Sequence, residues 1–110
     1  MKYLFNFFIL FVLLNELHAN ELENNADCII LKDENSIICK YTQKRINEEK
    51  HVQFNWIDPI GIISRQRTMI IPAGHGSVYD FRYISGRATG KWTFEVIDNN
   101  VSYKTNFIIE

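Results

Sequence analysis

The residues best suited to chemistry in this sequence are arginines and tyrosines rather than nucleophiles or paired acids. They recur between positions 65 and 87 and comprise Arg65, Arg67, Tyr79, Arg82, Tyr83 and Arg87. Such side chains are enriched at the energetic centres of protein interfaces, because they combine a large contact area with directional hydrogen-bond donors. The group therefore predicts an interaction surface. A solvated strand face is the alternative interpretation, since long polar side chains also cover sheets without binding anything.

Two glycine-rich stretches come closest to enzyme motifs, and neither fits one. Residues 74–77 place a histidine near a serine, but the nucleophile elbow needs the serine between two glycines. Residues 86–91 have three residues between their glycines, whereas the phosphate-binding loop has four. Both stretches are read as turns. The sequence also lacks the spacing of a metal site, so we predict a non-enzymatic protein with no catalytic residue, metal or other cofactor.

The chain contains two cysteines, Cys28 and Cys39. They lie symmetrically about residues 33 and 34, so a two-residue turn at those positions would make them direct neighbours across a β-hairpin. Opposite positions in a hairpin bring Cβ atoms close enough for a disulfide. A redox pair or a metal site is the alternative, but Cys-x-x-Cys spacing is missing. The pattern therefore predicts a Cys28–Cys39 disulfide.

Asn100 begins an Asn-x-Ser acceptor pattern in residues 100–102, inside a predicted turn. Asp98 lies two positions before it, which resembles the extended pattern that bacterial periplasmic oligosaccharyltransferases read. Exposed turns are suited to N-glycosylation. Asn100 is thus a predicted N-glycosylation site, with an ordinary Asp-Asn-Asn turn as the alternative.

The start of the chain has the pattern of a secretory signal peptide. Lys2 precedes a mostly apolar run over residues 3–14, and a polar stretch ends at Ala19, where we expect cleavage. A bilayer-spanning helix needs about 20 apolar residues, so this run is too short to be one; an uncleaved anchor is the alternative. We therefore predict a signal peptide over residues 1–19 and one domain over residues 20–110. The mature chain is expected to have no membrane span and to be periplasmic or secreted.

The charge balance excludes one large class of partners. The chain has 12 basic and 13 acidic residues and a formal net charge of -1. A protein that binds nucleic acid through bulk positive charge would be strongly basic, so we expect no nucleic-acid partner. A hydrophobic content of 46% also excludes a disordered acidic tail protein.

Hydrophobic residues after position 27 alternate with a period of two, which is typical of half-buried strands. Turn signals separate seven such stretches, at residues 28–31, 37–39, 51–56, 65–71, 78–83, 91–96 and 103–109. The polar residues 43–50 are read as a loop. Seven short strands in one domain predict an all-β, antiparallel, immunoglobulin-like sandwich. A small closed barrel is the alternative.

Residues 54–61 (FNWIDPIG), 90–96 (GKWTFEV) and 107–109 resemble exported bacterial immunoglobulin-like modules. In such modules a tryptophan-bearing strand leads to a Pro-x-Gly turn, and a Gly-x-Trp strand enters the last hairpin. The resemblance implies a β-sandwich and carries no catalytic residue. The expected function is therefore binding or accompanying another envelope protein. A small periplasmic inhibitor, or a ligand- or carbohydrate-binding protein, is the alternative.

Overall fold

The computed structural model describes residues 24–110, and the predicted signal peptide at residues 1–19 lies outside this range. The described residues form seven strands and one short 3-10 turn. These are β1 (Asn25–Leu31), the 3-10 turn (Lys32–Glu34), β2 (Ser36–Thr42), β3 (Lys50–Ile57), β4 (Ile63–Ile71), β5 (Ser77–Tyr83), β6 (Gly90–Asp98) and β7 (Val101–Ile109). Over residues 24–110, no helix has the length and apolar character needed to cross a membrane.

The strands form two antiparallel sheets that pack as a sandwich. One sheet has the order β1-β2-β5, and the other has the order β4-β3-β6-β7. The predicted all-β sandwich is confirmed, and the closed barrel is wrong, because the two sheets are hydrogen bonded separately. β4 pairs with β3, whereas a constant-type immunoglobulin domain places its fourth strand beside the fifth. β4 and β5 are therefore edge strands that face each other on one side of the sandwich.

The core between the sheets is centred on aromatic residues of the four-stranded sheet. The Trp56 ring packs edge to face on Phe94 and Phe107, with ring centres 5.4 and 5.9 Å apart. Phe54 packs on Phe94 in the same way at 4.9 Å. Such pairs contribute about 0.5–1.5 kcal/mol each beyond the area that they bury. The inward side of β3 thus lies at the centre of the core.

A disulfide joins Cys28 and Cys39, as their spacing predicts. The two residues are register partners in the β1–β2 hairpin, and Cys39 is fully buried. The connection is longer than the predicted two-residue turn, because the 3-10 turn and Asn35, with φ of 52°, join the strands. The register is the expected one since the longer loop has the same centre. In the loop-entropy model this short closure stabilises the fold by roughly 2–3 kcal/mol.

The β6–β7 hairpin turns through Asn99 and Asn100, whose φ angles are 52° and 69°. Two successive left-handed residues are typical of a type I′ turn, and asparagine tolerates that conformation well. Asn100 is exposed at the tip, while the Ser102 hydroxyl donates a 2.7 Å hydrogen bond to Glu95. Glycosylation of Asn100 stays a prediction.

Candidate functional site

β5 is inverted relative to an ordinary amphipathic strand. Its aromatic side chains Tyr79, Phe81 and Tyr83 point away from the core and are 64%, 44% and 58% exposed. Asp80 and Arg82 point inward instead, and are 6% and 8% exposed. Burial of aromatic area is favourable whereas burial of an uncompensated charge is costly, so this orientation depends on partners from other strands.

The carboxylate of Asp80 is the centre of the inward-facing group. It accepts hydrogen bonds from Arg67 at 2.8 Å, from Trp56 Nε1 at 3.1 Å and from Arg65 at 3.3 Å. Arg65 and Arg67 lie on the inward side of β4, in register with Trp56 and Phe54. Their side chains cross the open side of the sandwich. Asp80 therefore ties β4 to β5 through side chains, without a strand ladder between them.

Arg82 is a buried cation that makes no salt bridge within residues 24–110. Its guanidinium carbon lies 5.4 Å from the ring centre of Trp56 and 5.9 Å from that of Trp92. One N–H donates to the Ser64 hydroxyl at 3.1 Å, while the buried Nε has no partner. Burial and two neighbouring guanidinium groups lower the pKa of Arg82 to about 10, which leaves it charged at neutral pH. The two ring faces thus take the place of a carboxylate.

Arg87 joins this group from the β5–β6 loop. Its Nε is buried without a partner in the described part of the chain, and its positive charge acts on Arg82. Four guanidinium groups therefore accompany a single carboxylate. We refer to these residues as the arginine cluster: Arg65, Arg67, Asp80, Arg82 and Arg87.

The outward side of the three-stranded sheet is apolar. Ile29, Ile38 and Phe81 are register partners across the three strands, and Ile29 is 52% exposed. The rings of Phe81 and Tyr83 contact each other edge to face, with centres 5.3 Å apart. We call this surface the aromatic face and define it by Ile29, Ile38, Tyr79, Phe81 and Tyr83.

The middle of the outward side of the four-stranded sheet is polar and hydrogen bonded to itself, while Ile70 on β4 and Ile108 on β7 are exposed apolar residues at its edges. Asn55, which is 2% exposed, accepts hydrogen bonds from Gln66 at 3.1 Å and Gln53 at 3.2 Å. Its amide donates to Glu95 at 3.1 Å. Hydrogen bonds from Ser102 and Asn55 hold the pKa of Glu95 below its usual range. The centres of the two outer sides therefore differ, since one is apolar and aromatic and the other is polar and hydrogen bonded.

The six residues predicted to form one interaction surface lie on two. Tyr79 and Tyr83 belong to the aromatic face, whereas the four arginines lie together in the arginine cluster. Arg82 stands between Phe81 and Tyr83 in the sequence but on the opposite side of the sheet. The division follows from strand geometry, because successive side chains point to opposite faces.

Sequence reasoning missed Asp80 and Phe81, which organise the two surfaces. An aspartate in the middle of an aromatic strand is the available signal, since aspartate is depleted in strands and needs a partner when buried. That signal indicates a buried ion pair, but it does not identify Arg65 and Arg67 as the partners. Those residues belong to a strand of the other sheet.

A shallow depression of about 550 Å³ lies beside the loop between β2 and β3. Its basic lining residues are Lys40, Lys44 and Arg45. Gln43 also lines it, is 5% exposed and has a buried Nε2 without a partner in the described residues. This depression is a second place with surplus positive charge.

Both glycine-rich stretches form turns in the structure, as predicted. Gly74 and Gly86 have φ angles of 83° and 89°, which glycine adopts without strain. The His75 amide donates to the Pro72 carbonyl at 3.1 Å, which closes the first turn. Within residues 24–110, no three histidine, cysteine or acidic side chains converge on a common point that could hold a metal ion.

Two surfaces of the described residues are candidates for function: the exposed aromatic face on one sheet and the arginine cluster at the open side of the sandwich. No protein-family model matches the chain, and a search of curated proteins finds none similar to it.

Proposed function

We propose that this protein is an exported, non-enzymatic binding module that docks on another envelope protein through its aromatic face. The observation that carries the proposal is the inversion of β5. Three aromatic side chains are turned to solvent while a charged pair occupies the inward positions. Contiguous exposed apolar surface of this kind marks interaction sites in soluble proteins.

The composition of the aromatic face supports a protein partner. Tyrosine and phenylalanine offer large, rigid contact areas at low entropic cost, which makes them frequent interface anchors. Asp27 and Lys40 are register partners next to Tyr79, so charged groups border the apolar centre. An apolar centre with a charged rim is the usual anatomy of a protein interface.

The partner is expected to meet the face of β5 rather than its edge. A free edge strand offers backbone groups to an added strand. Arg65, however, donates to the Phe81 carbonyl at 3.4 Å and covers part of that edge. Side-chain contacts with Tyr79, Phe81 and Tyr83 therefore dominate the proposed interaction.

Export is part of the proposal. The Cys28–Cys39 disulfide persists in oxidising compartments and is rare in reducing ones. Together with the signal-peptide pattern of residues 1–19, it supports a periplasmic or secreted location.

A small inhibitor or ligand-binding protein is the second candidate function. The depression lined by Lys40, Lys44 and Arg45 favours it, because concave sites with convergent polar groups are typical of ligand binding. An acidic ligand would fit this lining.

Site-specific photo-crosslinking in the exporting host tests the leading proposal. A photoreactive residue at Tyr79 is expected to yield one discrete adduct with another envelope protein. The same residue at Thr68, exposed on the polar side of β4, is the matched position and is expected to yield none. Equal adducts from both positions, or an adduct only with a second copy of this chain, would contradict the proposal.

A pair of substitutions distinguishes specific docking from nonspecific hydrophobic association. Phe81→Ser removes apolar area from the aromatic face and is expected to abolish the Tyr79 adduct. Ile70→Ser removes comparable exposed area from the other sheet, where Ile70 is 51% exposed, and is expected to leave the adduct intact. Loss of the adduct in Lys44→Ala with retention in Phe81→Ser would favour the depression instead.

A further inference from the structure

The arginine cluster has more positive charge than its own carboxylate can neutralise. Asp80 bridges Arg65 and Arg67, while Arg82 and Arg87 make no salt bridge in the described residues. We infer that the cluster binds a dianionic tetrahedral oxyanion, either free sulfate or phosphate or a phosphate monoester. This inference does not depend on the aromatic face, which lies on the other side of β5.

Asp80 holds the two outer arginines in place for a ligand. Each guanidinium carries five N–H donors, and Arg67 uses only one nitrogen to reach the carboxylate. The side chains of Arg65 and Arg67 are 36% and 50% exposed, so further donors are open to solvent. Because Asp80 has already ordered these long side chains, less side-chain entropy is lost when a ligand binds to them.

Arg82 and Arg87 add to the positive potential of the site from its buried side. Arg82 lies against the rings of Trp56 and Trp92 and is 8% exposed, so little water screens its charge. Charges in such a low-dielectric setting act over longer distances than charges in water. The buried Nε atoms of Arg82 and Arg87 have no hydrogen-bond partner within residues 24–110 and are closed to solvent, so these atoms contribute to the site through charge and not through a direct hydrogen bond.

The charge and donor geometry select the ligand class. The positive charge of the four guanidinium groups exceeds the negative charge of the one carboxylate by three, so a dianion neutralises more of the excess than a monoanion does. Guanidinium groups form paired, charge-assisted hydrogen bonds with oxyanions, and several of them converge readily on a tetrahedral group. A dianion such as sulfate is therefore preferred over acetate.

Tryptophan fluorescence reads this site directly. The chain has two tryptophans, and both ring systems face Arg82. The purified protein is titrated with sodium sulfate, phosphate or glycerol 3-phosphate at constant ionic strength, with acetate as the monoanion. The expected result is a saturable fluorescence change with affinity at least tenfold tighter than for acetate. Tighter binding of glycerol 3-phosphate than of phosphate assigns an esterified ligand, and the reverse assigns the free ion.

Matched glutamine variants locate the binding. Arg87→Gln in the loop and Arg67→Gln on β4 are each expected to weaken sulfate binding at least tenfold. Arg45→Gln makes the same charge change in the depression, whose lining contains no residue of the arginine cluster, and is expected to leave the affinity unchanged. Because Arg87 lies outside the strands, its variant is expected to fold even if Arg67→Gln does not.

Three results would overturn the inference. One is the absence of a saturable response to any dianion in the folded protein. Another is a sulfate affinity equal to that for acetate, and the third is loss of binding in Arg45→Gln but not in Arg87→Gln. None of these outcomes affects the crosslinking at Tyr79, so failure here is distinguishable from failure of the proposed docking function.

Discussion

Two buried carboxylates connect the sheets of this sandwich, and they differ in what surrounds them. Asp98 is 4% exposed and accepts hydrogen bonds from Tyr41 at 2.7 Å and from Lys50 at 3.0 Å. Burial and the hydrogen bond to Asp98 raise the pKa of Tyr41 well above its usual range, so it stays a neutral donor. One acid faces one base there, whereas Asp80 faces a cluster of arginines.

The contrast separates a structural ion pair from a charged site with capacity to bind. At Asp98 the charges of the pair cancel and Oδ2 accepts from both Tyr41 and Lys50, while the buried Oδ1 has no partner in the described residues. At Asp80 the carboxylate organises two guanidinium groups, while Arg82 and Arg87 make no salt bridge within residues 24–110. The pair at Asp98 is therefore a structural contact between the sheets, whereas the surplus positive charge around Asp80 is the feature that supports the proposed anion site.

The largest expected effect comes from Asp80→Asn. This variant removes the only carboxylate of the arginine cluster and leaves buried Arg82 among like charges. Breaking a buried ionic network from one side costs about 3–5 kcal/mol. Urea denaturation is expected to show that loss, and added sulfate is expected to restore part of it. A loss below that of Asp98→Asn would contradict the ranking of the two sites.

Asp98→Asn is expected to cost less, about 1–3 kcal/mol, because an asparagine oxygen still accepts from Tyr41. Only one cation, Lys50, loses its acid in this variant, whereas Asp80→Asn also removes the negative charge that acts on the buried Arg82. The same urea denaturation measures it. Sulfate is expected to leave this variant's stability deficit unchanged, and a sulfate rescue equal to that of Asp80→Asn would remove the distinction between the sites.

Arg82→Met is expected to raise the free energy of unfolding by about 1 kcal/mol. Methionine keeps contact with the two tryptophan rings and removes a buried charge, and such replacements are often neutral or stabilising. The sign agrees with the lowered pKa of Arg82, about 10, since folding disfavours its charged form. Thermal unfolding measures the gain, and sulfate affinity is expected to fall in the same protein. If the variant is less stable and still binds sulfate with the parent's affinity, the role of Arg82 is purely structural.

Glu95→Gln is expected to have the smallest effect. It tests a carboxylate that lies outside both the arginine cluster and the Asp98 pair. The pKa of Glu95 is lowered by bonds from Ser102 and Asn55, so its contribution is present near neutral pH and is lost as pH falls through the lowered value. We expect the variant to lose less than about 1 kcal/mol at pH 7 and to lose less stability than the parent on acidification. Thermal unfolding between pH 7 and pH 3 measures this, and an unchanged acid dependence would exclude Glu95 from it.

Local patterns predicted much of the fold. Period-two alternation identified all seven strands, although the strand read at residues 65–71 begins at Ile63 in the structure. The symmetric spacing of Cys28 and Cys39 predicted their register, since hairpin pairing is a local property. The loop between them was mistaken because a 3-10 turn with a left-handed Asn35 preserves the same register over a longer connection.

The candidate site was predicted only in part. The arginines and tyrosines were identified by type, and the four arginines do lie together. Alternation along β5 already places Arg82 on the face opposite Tyr79 and Tyr83, so their separation was predictable, whereas which of the two faces is buried was not. The role of Asp80 was missed for the same reason.

The amino-acid sequence by itself determined the strands, the turns and the disulfide of this protein, because these depend on neighbours along the chain. Only the tertiary structure decided that β5 turns its aromatic residues outward and its charges inward. That choice depends on Trp56 and on Arg65 and Arg67, which reach Asp80 from strands of the opposite sheet. The aromatic face and the arginine cluster both arise from this one nonlocal arrangement, in which hydrogen bonds across the sandwich satisfy the buried carboxylate of β5.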